Sequence, residues 1–126
     1  MSTPFDPTII TRKTNADLSS SDWLLVKPNG DDDTDLAGGG ELAIGALTND
    51  VADGSSTEVY LPVQVGGLIK VACGGSITAG VLAMSNASGQ AVTATDGNYA
   101  FGIALETHAS GDVGSFLWAP SYLETT

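Results

Sequence analysis

Basic side chains are scarce in this 126-residue chain: Arg12, Lys13, Lys27 and Lys70 stand against fifteen acids, a net charge of −11. Binding nucleic acid requires Lys and Arg to replace phosphate counterions, so direct nucleic-acid recognition is excluded as an expectation. The negative charge instead favours solubility and keeps the chain away from other polyanions. Cysteine is nearly absent too. Cys73 stands alone, so no intrachain disulfide can form, and one Cys with one His gives no zinc site of ordinary type. Aromatics make up only 6% of the residues, so a core drawn from the 42% hydrophobic content must be built of Val, Ile, Leu and Ala. No apolar run approaches the roughly 20 residues of a membrane helix, so no membrane partner is expected. The start, Met-Ser-Thr-Pro-Phe-Asp, lacks the basic and apolar regions of a signal peptide, which predicts a soluble product made in the cytoplasm. A domain this small buries a limited share of its surface. With no disulfide to help it, a subunit or partner interface is the expected supplement.

The residues that could carry chemistry do not assemble into a catalytic set. His108 lies between Thr107 and Ala109 in a loop ending at Gly111, with only Glu106 nearby in sequence. A general base needs a nucleophile or an orienting acid within reach, so a solvated loop histidine is expected. Cys73 ends an apolar stretch and reads as an inert packing group. Asp31, Asp33 and Asp35 have the alternate spacing with which calcium loops begin, and are the candidate metal ligands. Leu36 then stands where such a loop needs Gly, and Leu42 where it needs the closing Glu, so a solvated acidic loop is the preferred reading. Gly38-Gly39-Gly40 lacks the Lys-Ser/Thr of a phosphate loop and reads as a turn or linker. Asn86-Ala87-Ser88 matches a glycosylation acceptor, but Asn86 is better explained as a turn former. No enzyme activity and no cofactor are expected.

Composition divides the chain. Residues 1–60 carry eleven of the acids and a net charge of −8, and residues 61–126 a net of −3. Residues 1–21, rich in Thr, Ser, Asp and Asn with Pro4 and Pro7, read as an extended arm ahead of one β domain over 22–126. An acidic, Gly-rich loop occupies about 29–40 of that domain. Strands are expected at Trp23–Val26, within Glu41–Leu47, and at Thr57–Val65. In the last of these Val59, Leu61, Val63 and Val65 alternate with Glu58, Tyr60, Pro62 and Gln64. Pro62 lacks an N–H, which places that strand at an edge or a bulge. Further strands follow at Leu68–Cys73, Ile77–Ser85, Gln90–Thr95, Tyr99–Leu105 and Val113–Trp118, with Pro120 closing the last. Tyr99, Phe101, Ile103 and Leu105 form a bulky face opposite the nearly bare Ala100, Gly102 and Ala104. Gly89 and Asp96-Gly97 mark turns. With no convincing helix, the fold class is all-β: a small β-barrel or β-clip-like domain with an extended N-terminal arm. Trp118 and Tyr122, flanking Pro120, are the candidate subunit-interface anchors.

The order "GLIKVACGGSITAGVLAMSNASGQAVTAT", then "YAFGIALETHASGDVGSFLWAP", resembles the head-decoration, or cement, proteins of tailed phages. The shared parts are a strand and Gly turn at Gly67–Cys73, the "ITAG" at Ile77–Gly80, a "GxALE" segment at Gly102–Glu106, a small-residue loop at Ala109–Gly111 and a final strand at Val113–Trp118. Resemblance to the lambda-type members implies a homotrimer on the outer surface of the expanded head, bound to the major capsid protein at local threefold positions and resisting internal DNA pressure. It also implies an N-terminal arm that reaches the shell, here through Pro4, Phe5, Ile9, Ile10, Arg12 and Lys13. "SITAGVLAMS" is similar as well to β-clip domains of the antifreeze and sialic-acid-synthase type. That leaves a small-ligand or carbohydrate-binding module, or a calcium-assisted adhesin, as the alternative.

Overall fold

A computed structural model describes residues 9–14, 18, 21–30, 33–48 and 59–123. Among the described residues ten strands account for the regular structure: β1 (Ile9–Thr14), β2 (Leu25–Pro28), β3 (Thr34–Leu36), β4 (Gly45–Leu47), β5 (Val59–Gln64), β6 (Leu68–Ala72), β7 (Leu82–Ser85), β8 (Ala91–Thr93), β9 (Asn98–Ala104) and β10 (Val113–Leu123). They form two five-stranded antiparallel sheets, in the orders β1-β5-β4-β2-β3 and β6-β10-β9-β7-β8. The all-β expectation holds, and no helix occurs among the described residues. Neither sheet closes into a barrel. The edges of the first are linked by side chains: Thr14 Oγ1 donates to the Thr34 carbonyl at 2.6 Å, and Arg12 donates to Thr34 Oγ1 and to the Asp33 carbonyl. The edges of the second meet only at an isolated bridge between Cys73 and Ala91.

The curl of the first sheet gives it two buried sides. Leu25 and Ala46 face the second sheet, where they join Ile69, Val71, Phe101 and Phe116. Their chain neighbours Val26 and Leu47 point the other way and pack with Leu18 and Val63. Phe101 and Phe116 meet edge to face at 5.1 Å between ring centres. That geometry adds about 0.5–1.5 kcal/mol beyond the area it buries.

Several local features depart from the expectations, each for a physical reason. The acidic segment contains a strand, because Thr34–Leu36 turns back on β2 and pairs Leu36 with Val26 and Thr34 with Pro28. Pro62 sits in an interior strand. Its carbonyl accepts from Thr48, so its missing N–H points toward the β4 side, beyond the β4 ladder, which pairs only Gln64 and Val63 of this strand. Pro120 does not end β10. The register slips by one residue between Trp118 and Ser121, and this bulge accommodates a residue without an N–H. In β9 the bare side, Ala100, Gly102 and Ala104, is the buried one. A Cβ on Gly102 would strike the Leu117 carbonyl of β10, so only glycine allows this approach. Phe101 leaves the bulky row and turns inward, 2% exposed, whereas Tyr99 and Leu105 stay outside. Gly89 takes the left-handed conformation foreseen for it, with φ of 78°, and its carbonyl accepts the Leu25 N–H.

Gln64 joins the two sheets. It is 1% exposed, and its amide donates to the carbonyls of Leu47 in β4 and Lys70 in β6 while accepting the Lys70 N–H. Replacing it by Leu leaves these backbone groups without the Gln64 bonds in a dry junction. Gln64→Leu should lower unfolding free energy by about 2–5 kcal/mol. Urea titration followed by tryptophan fluorescence checks this, and a change within error of zero would show the amide to be dispensable.

Candidate functional site

The residues singled out for chemistry lie apart. Of the aspartate trio, Asp31 falls outside the described residues. Asp33 and Asp35 each turn a carboxylate oxygen back to a backbone amide, of Thr34 and Leu36 respectively. Among the described residues no group of three or more His, Cys, Asp or Glu side chains is placed to hold a metal ion. His108 is half-buried and tied in place rather than solvated. Its backbone bridges Ile77, its Nε2 accepts the Ser115 N–H at 3.2 Å, and its ring lies 6.1 Å from that of Phe116. A nitrogen accepting from a backbone amide is already used in holding the loop, so the side chain acts as a brace.

Cys73 is buried as expected, and burial pushes its thiol up. A backbone hydrogen bond from Gly114 opposes that shift, and the Asp112 charge adds to it. The folded protein should therefore resist a thiol reagent at neutral pH, with full reaction only in denaturant. Rapid stoichiometric labelling of the native chain would contradict the packing. Glu41 behaves oppositely. Hydrogen bonds from the Lys27 ammonium at 2.8 Å and from the Gly38 N–H hold its carboxyl below its ordinary value. A carboxyl lowered on folding adds stability above its unfolded pKa and loses it as pH falls through the folded one. Glu41→Gln should thus be slightly less stable than the parent at pH 7, and the difference should shrink as pH falls through the acid range, as thermal melts across pH will show.

What the fold presents outward is surface. At the edge of the first sheet, Ile9 and Ile10 are exposed. Pro62 opposes Thr11, and its carbonyl points toward β4, so this is a pair without mutual hydrogen bonds. By alternation the N–H and C=O of Ile9 and Thr11 face away from β5. Arg12 is engaged within the chain through Thr34 and Asp33. Lys13 pairs with Tyr60 in the β1–β5 ladder. Pro4 and Phe5 lie outside the described residues. The interface candidates separate in depth. Trp118 is partly buried against the core, 6.3 Å from Phe101, whereas Tyr122 is 52% exposed and meets Tyr99 edge to face at 5.0 Å.

Sequence reasoning missed a second exposed surface, the outer side of the second sheet. Leu68, Leu117, Ile103 and Leu82 stand directly opposite one another across β6, β10, β9 and β7. Their chain neighbours Ile69, Phe116, Ala104 and Ala83 are buried beneath them. Leu117 is 45% exposed, as is Leu105. The signal was present in the alternation of Tyr99, Ile103 and Leu105, which marks a bulky row but not the side of the sheet that it occupies.

The crystal structure of the head fiber gp8.5 N base in bacteriophage phi29 shares this fold, with a TM-score of 0.72 at 19% identity, over 94% of this chain and 100% of that one. No curated protein matches the chain in sequence. The family model described as phage cement protein matches residues 6–118. That match spans nearly the whole chain, both sheets included, and the chain therefore belongs to the phage cement protein family.

Proposed function

We propose that the protein is a capsid decoration subunit that binds the outer surface of the expanded phage head through the major capsid protein. Three copies assemble at local threefold positions and hold the shell against internal DNA pressure. Family membership supports a structural, capsid-associated role. The observation that carries the finer reading is the edge strand β1. It places exposed Ile9 and Ile10, with the backbone groups of Ile9 and Thr11 facing away from β5, at the end of the sheet that follows residues 1–8. An edge of this kind can accept or extend a strand of a partner sheet.

The parts divide the labour. Pro4 and Phe5, with Ile9 and Ile10, contact the shell. Arg12 anchors β1 to its own sheet through the bonds to Thr34 and Asp33, which fixes the point from which the leading residues depart. Single contacts of this size are weak, but three linked copies raise the effective concentration of each unbound arm. A protein that binds only the expanded lattice stabilises that state by mass action. The role requires no catalytic step.

Cosedimentation with purified heads tests this reading. The full chain should pellet with expanded heads and stay in solution with unexpanded ones. Deleting residues 1–8 should leave the thermal melt within a few degrees of the parent and reduce head binding at least tenfold. Undiminished binding by that truncation would remove the arm from the mechanism. Equal binding to unexpanded heads would remove the selectivity.

A further inference from the structure

The outer side of the second sheet is apolar across all five strands. The row Leu68, Leu117, Ile103 and Leu82 runs over β6, β10, β9 and β7, and the directly opposed pair Met84 and Val92 extends it onto β8. None of these six side chains is buried. None of them packs in either of the two core clusters. Leu117 is exposed and the other five are half-buried, so the row forms a continuous apolar surface that water still reaches, and such a surface marks an interaction site.

We infer that this face is covered by a second copy of the same chain. The argument rests on charge. Each copy carries −11, so two copies repel wherever their acids are brought together. The row and its extension hold no ionisable side chain. The next outward positions on β10 and β6 bring Ser115 opposite Lys70 and Val113 opposite Ala72, and no acid stands among them. Glu106 and Asp112 lie in the loop beyond the sheet end. A copy can therefore approach this face without setting carboxylate against carboxylate. A shell surface complementary to so acidic a chain would instead be basic and would gain little from an uncharged face. Burying Leu, Ile, Met and Val side chains then supplies the association, as it does between the layers of a sandwich. This inference deepens the assembly proposed above by naming the surface that mediates it.

The test is the mass of the protein in solution, by sedimentation equilibrium, for the parent and for Leu117→Asp and Ile103→Asp. Leu42→Asp serves as control, since Leu42 is equally exposed but lies in the segment before β4. The parent and Leu42→Asp should be oligomers, and the two sheet variants should dissociate with at least a tenfold rise in dissociation constant. Thermal melts of the monomers confirm that they are folded. Should the aspartates prevent folding, Leu117→Cys provides a second readout. The native Cys73 is buried, so a bulky maleimide reports on the introduced thiol, which should be protected at high protein concentration and exposed on dilution. A monomeric parent, sheet variants that keep the parent's mass, or an introduced thiol labelled equally at all concentrations would each overturn the inference. The number of copies separates the two claims. An oligomer other than a trimer that these variants dissolve supports the face and refutes the threefold arrangement.

Discussion

One carboxamide, that of Gln64, binds both sheets at the junction between β5 and β6. Each sheet alone is a small curved ribbon, and in this chain the aromatic residues that usually cement such ribbons are few. Gln64 lies where the end of β5 meets β4 and the start of β6, and it treats the Lys70 backbone as a neighbouring strand would, giving one hydrogen bond and taking one. Its second donor hydrogen goes to Leu47. The amide thus acts as one missing residue of a ladder that would otherwise have to run continuously from the first sheet into the second. Displacing one sheet relative to the other would break these bonds around a side chain that is itself 1% exposed. The same logic governs the sheet edges. Thr14 and Arg12 bond across the gap between β1 and β3 where no backbone ladder forms. Side chains thus cover the Arg12–Thr14 end of the β1 edge, while Ile9 and Ile10 at its other end stay exposed.

Sheets fixed in this manner turn their own surfaces into dependable tools. The first sheet buries both sides and offers an edge. The second buries one side and offers a face. Edge and face differ in chemistry: backbone groups beside Ile9 and Ile10 in one case, uncharged side chains in the other. Two surfaces of such different chemistry do not compete for the same partner. Tyr99 and Tyr122 provide a further exposed aromatic pair on β9 and β10, beyond the bulge at Pro120.

Much of the second sheet was legible in the sequence. Turn residues at Asn86–Gly89 and Asp96-Gly97, with apolar runs between them, locate β7, β8 and β9 within a few residues. The first sheet was harder to read, because three-residue strands such as Thr34–Leu36 are too short to show a period and owe their pairing to distant partners. Ile9–Thr14 hid behind its polar sequence. Thr14 is buried through a bond to Thr34, which no local pattern reveals. Gln64 fell on the nominally polar side of an alternating run, yet both sides of that strand end are covered. Phe101 departs from its own alternation opposite the β10 bulge between Trp118 and Ser121. Of the surfaces, the position of Tyr122 outside the core could be anticipated, while the apolar outer row became visible only when pairing set Leu68, Leu117, Ile103 and Leu82 side by side.

The six-residue ladder between β1 and β5 has a mechanical corollary. A pull on the chain from its beginning, directed along the strand, loads the ladder in shear, so its hydrogen bonds strain together and must fail together. The same pull directed across the strand peels them one at a time from Ile9. Resistance to rupture in this molecule is therefore a property of direction, greatest for tension in line with β1 and least for lifting it away from the sheet.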